Sequence, residues 1–68
     1  MQVKVKVNGE MREISENSTL FDVIHSLGLE ERVMAAAVNM QIVKKDVWNS
    51  AVLNDSDVIE LLDFVGGG

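Results

Sequence analysis

The residues of this chain best placed to do chemistry are the last three, Gly66, Gly67 and Gly68, together with the main-chain carboxylate of Gly68. Glycine has no Cβ, so such a tail follows backbone paths closed to other residues, and it is expected to move freely until a partner holds it. A narrow enzyme channel can admit this thin strand where a side chain would clash. Attack of the tip carboxylate on ATP would give an acyl adenylate, and a sulfur donor displacing AMP would leave a thiocarboxylate. The bland alternative is a glycine run that frays or remains from a linker. Against a linker, the glycines directly follow a strand pattern and bring no serine or tag with them.

No other group competes for that role. The chain has no cysteine, which removes disulfides, thiolate metal sites and redox thiols. His25 is the one histidine, too few for a histidine metal cluster or a nucleophile–base triad, and on its helix it reads as solvated. Asp55 and Asp57 lack the remaining ligands and the closing glutamate of a calcium loop. No glycine-rich phosphate loop precedes a helix, so ATP would have to be bound by a partner. The reading is therefore no catalytic residue, no metal site, no bound cofactor and no enzyme. Eleven acidic against six basic residues leave a net charge of −5, which argues against nucleic acid or an anionic membrane as partner. Lys44-Lys45 is too short a basic run to reverse that. No apolar run approaches the ~20 residues of a membrane helix, and no secretory signal is visible. Sixty-eight residues, 47% of them hydrophobic, suit one small globular domain that hides about 60% of its unfolded surface. The expectation is a soluble, cytoplasmic domain, monomeric by itself.

The elements that must carry the tail follow from pattern. Val3, Val5 and Val7 alternate with Lys4 and Lys6, the period of a half-buried strand. Asn8-Gly9 suits the two positive φ angles of a type I′ turn. A returning strand is expected over Glu10–Ile14, with a bulge or early end because Met11 and Ile14 differ in parity. Thr19 is a fitting N-cap, and Asp22 stands in the capping-box position. Leu20, Val23, Ile24 and Leu27 form one apolar stripe, which predicts a helix over 20–27. Gly28 ends it, with Leu29 packing back on the last turn. Val33–Val38 is a continuous apolar run read as a buried strand, whose alanines would let the helix approach the sheet closely. Ile42-Val43 is a short strand, and 44–49 is one helical turn carrying Trp48 as a core plug. Met34 and Met40 read as packing residues. Asn54-Asp55-Ser56-Asp57 is a turn, and Val58–Phe64 is the last strand. One helix over a mixed sheet is an α+β, β-grasp arrangement, with a domain over 1–65 and a tail over 66–68.

The last strand splits onto two faces. Ile59 and Leu61 belong on the helix side, which leaves charged Glu60 outside. Leu62 and Phe64 then stand on the open face beside the tail, with Val65 beyond them. Exposed apolar groups of this size mark an interface, unless a loop covers them. Acidic Glu60, Asp57 and Asp63 would suit a basic partner surface, unless they are ordinary solubilising charge.

On these residues the chain resembles the ubiquitin-like sulfur-carrier family, most closely its thiamine-biosynthesis branch. The likeness runs over nearly the whole length: the Asn8-Gly9 turn, Thr19-Leu20, Val38-Asn39, Gln41-Ile42-Val43, Trp48, Asp55-Ser56-Asp57-Val58 and Phe64-Val65-Gly66-Gly67-Gly68. Lys44 stands where the branch commonly has proline, and Ser56 where it has glycine. The resemblance implies that an E1-like adenylyltransferase (ThiF type) adenylates the Gly68 carboxylate with ATP. A cysteine desulfurase would supply sulfur for the thiocarboxylate, and a thiazole synthase (ThiG type) would draw on it for the thiazole of thiamine. Gly66, Gly67 and Gly68 would enter partner active sites, and Leu62, Phe64, Val65 and Glu60 would form the interface. Two alternatives stay open: the same chemistry serving molybdopterin or another thiolation pathway, and a β-grasp interaction module with an inert tail.

Overall fold

The computed structural model describes residues 1–63. Val3, Val5 and Val7 lie in β1 (Gln2–Val7), which turns at Asn8 (φ 49°) and Gly9 (φ 87°) into β2 (Glu10–Ser15). The two strands pair in one unbroken antiparallel register, from Gln2 opposite Ser15 to Val7 opposite Glu10. The expected bulge is absent. Its motive, the mismatch of Met11 and Ile14, is resolved by placing them on opposite faces: Ile14 sits opposite Val3 and packs on the core, while Met11 sits opposite Lys6 and is exposed.

Helix α1 (Leu20–Ser26) begins with a complete capping box. The Thr19 hydroxyl accepts from the Asp22 N–H at 3.1 Å, and the Asp22 carboxylate accepts from the Thr19 N–H at 2.9 Å. The helix ends one residue earlier than expected, because Leu27 is its C-cap. Gly28 (φ 71°) donates to the His25 carbonyl and Leu29 to the Ile24 carbonyl, the paired bonds of a Schellman motif. Leu20, Val23 and Ile24 are buried, and Leu27 and Leu29 pack at the margin.

The apolar run forms β3 (Val33–Val38), followed by a turn at Asn39-Met40 and the short β4 (Gln41–Val43). β3 is buried on one face only. Val33 and Ala36 both face the core although they are three residues apart, which an unbroken strand forbids. The register shifts between Val33 and Ala35, and the extra residue, Met34, is displaced outward. Of the three alanines, only Ala36 is buried in the core; Ala35 and Ala37 are half-buried. Met34 and Met40 are 62% and 87% exposed, so neither is the packing residue it reads as.

A 3₁₀ helix (Lys45–Ser50) brings Trp48 into the core at 1% exposure, where its Nε1–H donates to the Val43 carbonyl at 2.9 Å. The chain then pairs back across the start of α1, the Leu20 N–H donating to Ala51 and the Leu53 N–H to Ser18. β5 (Val58–Asp63) completes a five-stranded sheet in the order β2-β1-β5-β3-β4, with β5 parallel to β1 and antiparallel to β3. This is the expected β-grasp arrangement. Among the described residues no helix is long and apolar enough to cross a membrane, and no acidic or histidine cluster could hold a metal ion.

Candidate docking face

Alternation along β5 divides the strand. Ile59 and Leu61 are buried against α1 and Trp48's core, whereas Val58, Glu60 and Leu62 are exposed on the opposite face. The sequence reading of these five residues holds. Leu62 stands 63% exposed next to the end of β5.

Cross-strand register shows what surrounds it. Leu62 faces Ala35, Glu60 faces Ala37, and Ala37 in turn faces Ile42 of β4. These residues line a shallow groove of about 270 Å³. Its shape follows from side-chain size: alanines in β3 form a low floor, with Leu62 and Glu60 on one bank and Ile42, 72% exposed, on the other. The groove is apolar except for Glu60, the one charged side chain in its lining among the described residues. Chemically it suits an apolar side chain of a partner, with Glu60 placed to meet a donor or cation at the edge.

Ile42, Ala35 and Ala37 were not singled out as interface residues by the sequence. The signal that could have found them is the two-residue period carried across the Asn39-Met40 turn, which puts Ala37 and Ile42 on one face. Conversely, Asp57 does not belong to an acidic docking surface. It is 9% exposed, and its carboxylate accepts from the Asn39 side-chain amide at 2.9 Å and from the Asn54 N–H at 2.7 Å. Phe64, Val65, Gly66, Gly67 and Gly68 lie outside the described residues, as does the side chain of Asp63. His25 is exposed as expected. It stacks on Phe21 with ring centroids 5.7 Å apart and meets the Glu30 carboxylate. Glu30 is held below the usual carboxylate range, first by a hydrogen bond from its own backbone and then by His25.

Three kinds of comparison agree on what the chain is like. The sequence model described as the ThiS family matches residues 5–68. The sulfur carrier protein ThiS of Bacillus subtilis is 32% identical over 65 residues, covering 94% of this chain and 98% of that protein. A thiazole synthase of Paramagnetospirillum magneticum is 35% identical over 66 residues, 97% of this chain but 20% of that protein, so the chain spans about a fifth of that relative. In three dimensions, the crystal structure of the thiamine biosynthesis protein ThiS from Geobacter metallireducens superposes with a TM-score of 0.79 at 23% identity, covering 97% of this chain and all of that one. That likeness shows the fold. The family match, which spans β1 to the terminal glycines, shows more: this chain belongs to the ThiS family.

Proposed function

We propose that the protein is a sulfur carrier for the thiazole of thiamine, a co-substrate and not a catalyst. The observation that supports this most is that the ThiS-family match runs through Gly66, Gly67 and Gly68, in a chain without cysteine. Sulfur then has the main-chain carboxylate as its carrier. The carboxylate oxygen attacks the α-phosphorus of ATP, pyrophosphate leaves, and an acyl adenylate forms. A persulfide sulfur from a cysteine desulfurase attacks the acyl carbon and expels AMP. A thiol then cleaves the S–S bond of the resulting acyl disulfide, forming its own disulfide and leaving a thiocarboxylate at Gly68.

The chain supplies presentation. Glycines 66–68 would pass into the active site of an E1-like adenylyltransferase of the ThiF type, which binds the ATP. Leu62, with Phe64 and Val65 after it, and Glu60 would seat the domain against that enzyme, joined by Ile42 across the groove. A thiazole synthase of the ThiG type is the proposed acceptor. Two proteins named thiazole synthase carry a stretch similar to this chain within their own sequence, which supports that partnership over one with molybdopterin synthesis.

Intact-mass measurement tests the proposal. The chain ending in Gly68, incubated with the adenylating enzyme, ATP and a desulfurase with cysteine, should gain about 16 Da for one exchange of oxygen by sulfur. Removal of Gly67 and Gly68 should abolish the gain. An unchanged mass, where a control ThiS is modified, rules the proposal out. Rescue of a molybdenum-cofactor mutant but not of a thiazole-requiring strain would redirect it to the other pathway.

A further inference from the structure

Parallel strands β1 and β5 lie side by side, but β1 leaves the sheet before β5 ends. The ladder between them runs from the Lys6 N–H on the Asp57 carbonyl at 3.0 Å to the Asn8 N–H on the Ile59 carbonyl at 2.9 Å. The next rung would serve Leu61, and there the main chain has already turned away at Asn8-Gly9. The side chain of Asn8 takes its place. Its Oδ1 accepts from the Leu61 N–H at 2.8 Å, and its Nδ2–H donates to the Leu61 carbonyl at 3.3 Å. A primary amide carries the donor and acceptor of a peptide group, so it can stand in for one. The reverse orientation would set donor against donor and acceptor against acceptor, which fixes the side chain's sense.

We infer that Asn8 is a positioning residue for the docking face. It clamps β5 at Leu61, immediately before Leu62 of the docking face and two residues before the strand ends at Asp63. The turn alone does not demand asparagine. Glycine takes φ 49° more readily, and aspartate would offer an acceptor without the donor. The amide is what supplies both halves of the rung. Without it, two part-buried main-chain groups of β5 lose their partners, and Leu62, the next residue, is less closely set. Docking on an adenylating enzyme depends on such placement, since an anchor side chain already held in its bound position loses less freedom on association. This inference rests on the carrier reading above.

The test uses the full chain with Asn8→Gly, which keeps the turn and removes the clamp, and Asn8→Asp, which keeps only the acceptor. Hydrogen exchange followed by NMR should show the Leu61 amide losing about five- to ten-fold of its protection in Asn8→Gly, relative to core amides such as Ile24. Asn8→Asp should fall between that variant and the wild type. In adenylation assays, KM should rise about three-fold in Asn8→Gly with kcat unchanged, because the clamp acts on docking and not on the reacting carboxylate. Unaltered Leu61 protection, or wild-type KM despite lost protection, overturns the positioning role alone. If Asn8→Gly does not fold, the same two readings on Asn8→Asp decide. A wild-type chain that is never adenylated overturns the carrier reading, and the positioning role with it.

Discussion

Asn39 and Asp57, eighteen residues apart, are joined side chain to side chain by a hydrogen bond of 2.9 Å beneath the start of β5. Asn39 Oδ1 also accepts from the Val58 N–H at 3.0 Å, and the second Asp57 oxygen accepts from the Asn54 N–H. Both carboxylate oxygens thus receive donors. Asp57→Asn would turn an NH2 group toward one of those donors and leave a near-buried clash of like partners. The expected cost is about 1–3 kcal/mol, measured by urea unfolding followed through the fluorescence of buried Trp48. A variant as stable as the wild type would show that the network adds nothing.

Ser56 holds φ at 74° in the turn before β5, in the left-handed region that a Cβ disfavours. Its N–H donates to the Lys4 carbonyl at 2.7 Å, so the conformation is tied to β1 and cannot relax alone. Ser56→Gly relieves the steric cost but loosens the unfolded chain. The balance should favour the variant by roughly 0.5–1 kcal/mol. A rise of a few degrees in Tm is the expected outcome, and a fall would mean that the Ser56 hydroxyl, which donates to the Asp55 carboxylate at 3.4 Å, outweighs the backbone strain.

How far the sequence disclosed these features depended on range. Thr19, Asp22 and Gly28 act on residues within four positions, and their roles could be read from residue type alone. The faces of β5 were legible because charged Glu60 breaks the symmetry of an apolar strand. The run Val33–Val38 has no such marker, so the bulge at Met34 and the open face of Ala35 and Ala37 were hidden. Asn8 and Asp57 were misjudged or undervalued for another reason. Each looks like an ordinary turn residue, and each finds its partners in strands or turns that only the folded sheet brings near.

Glu30 offers a check on local electrostatics at the end of α1. Its carboxyl is held below the ordinary value by its own backbone first and by His25 second. NMR titration should therefore place its midpoint below that of an unperturbed glutamate. In His25→Ala the midpoint should move back upward only in part, since the larger cause remains. The sign for stability follows: a lowered carboxyl favours the folded state at higher pH, and that contribution fades as pH falls through the folded-state midpoint. Glu30 is half-buried and its His25 partner is exposed, so solvent screens the pair and the unfolding midpoint should stay nearly unmoved.

The docking face can be separated from the fold because its residues point away from the core. Leu62 and Ile42 stand on the two banks of the groove, on the side of the sheet opposite buried Ile59 and Leu61. Leu62→Thr keeps a strand-favouring residue and removes the large apolar group. Its unfolding free energy should stay within about 0.5 kcal/mol of the wild type, as for other surface changes. Binding to the adenylating enzyme should weaken about ten-fold, the loss expected of an apolar anchor worth somewhat over 1 kcal/mol. Ile42→Thr should weaken binding in the same direction, because the groove loses its other bank. The control is Met11→Thr, on the same face of the sheet but in edge strand β2, which should bind as the wild type does. Equal weakening by all three would mean that the whole face, and not the groove between β5 and β4, meets the partner.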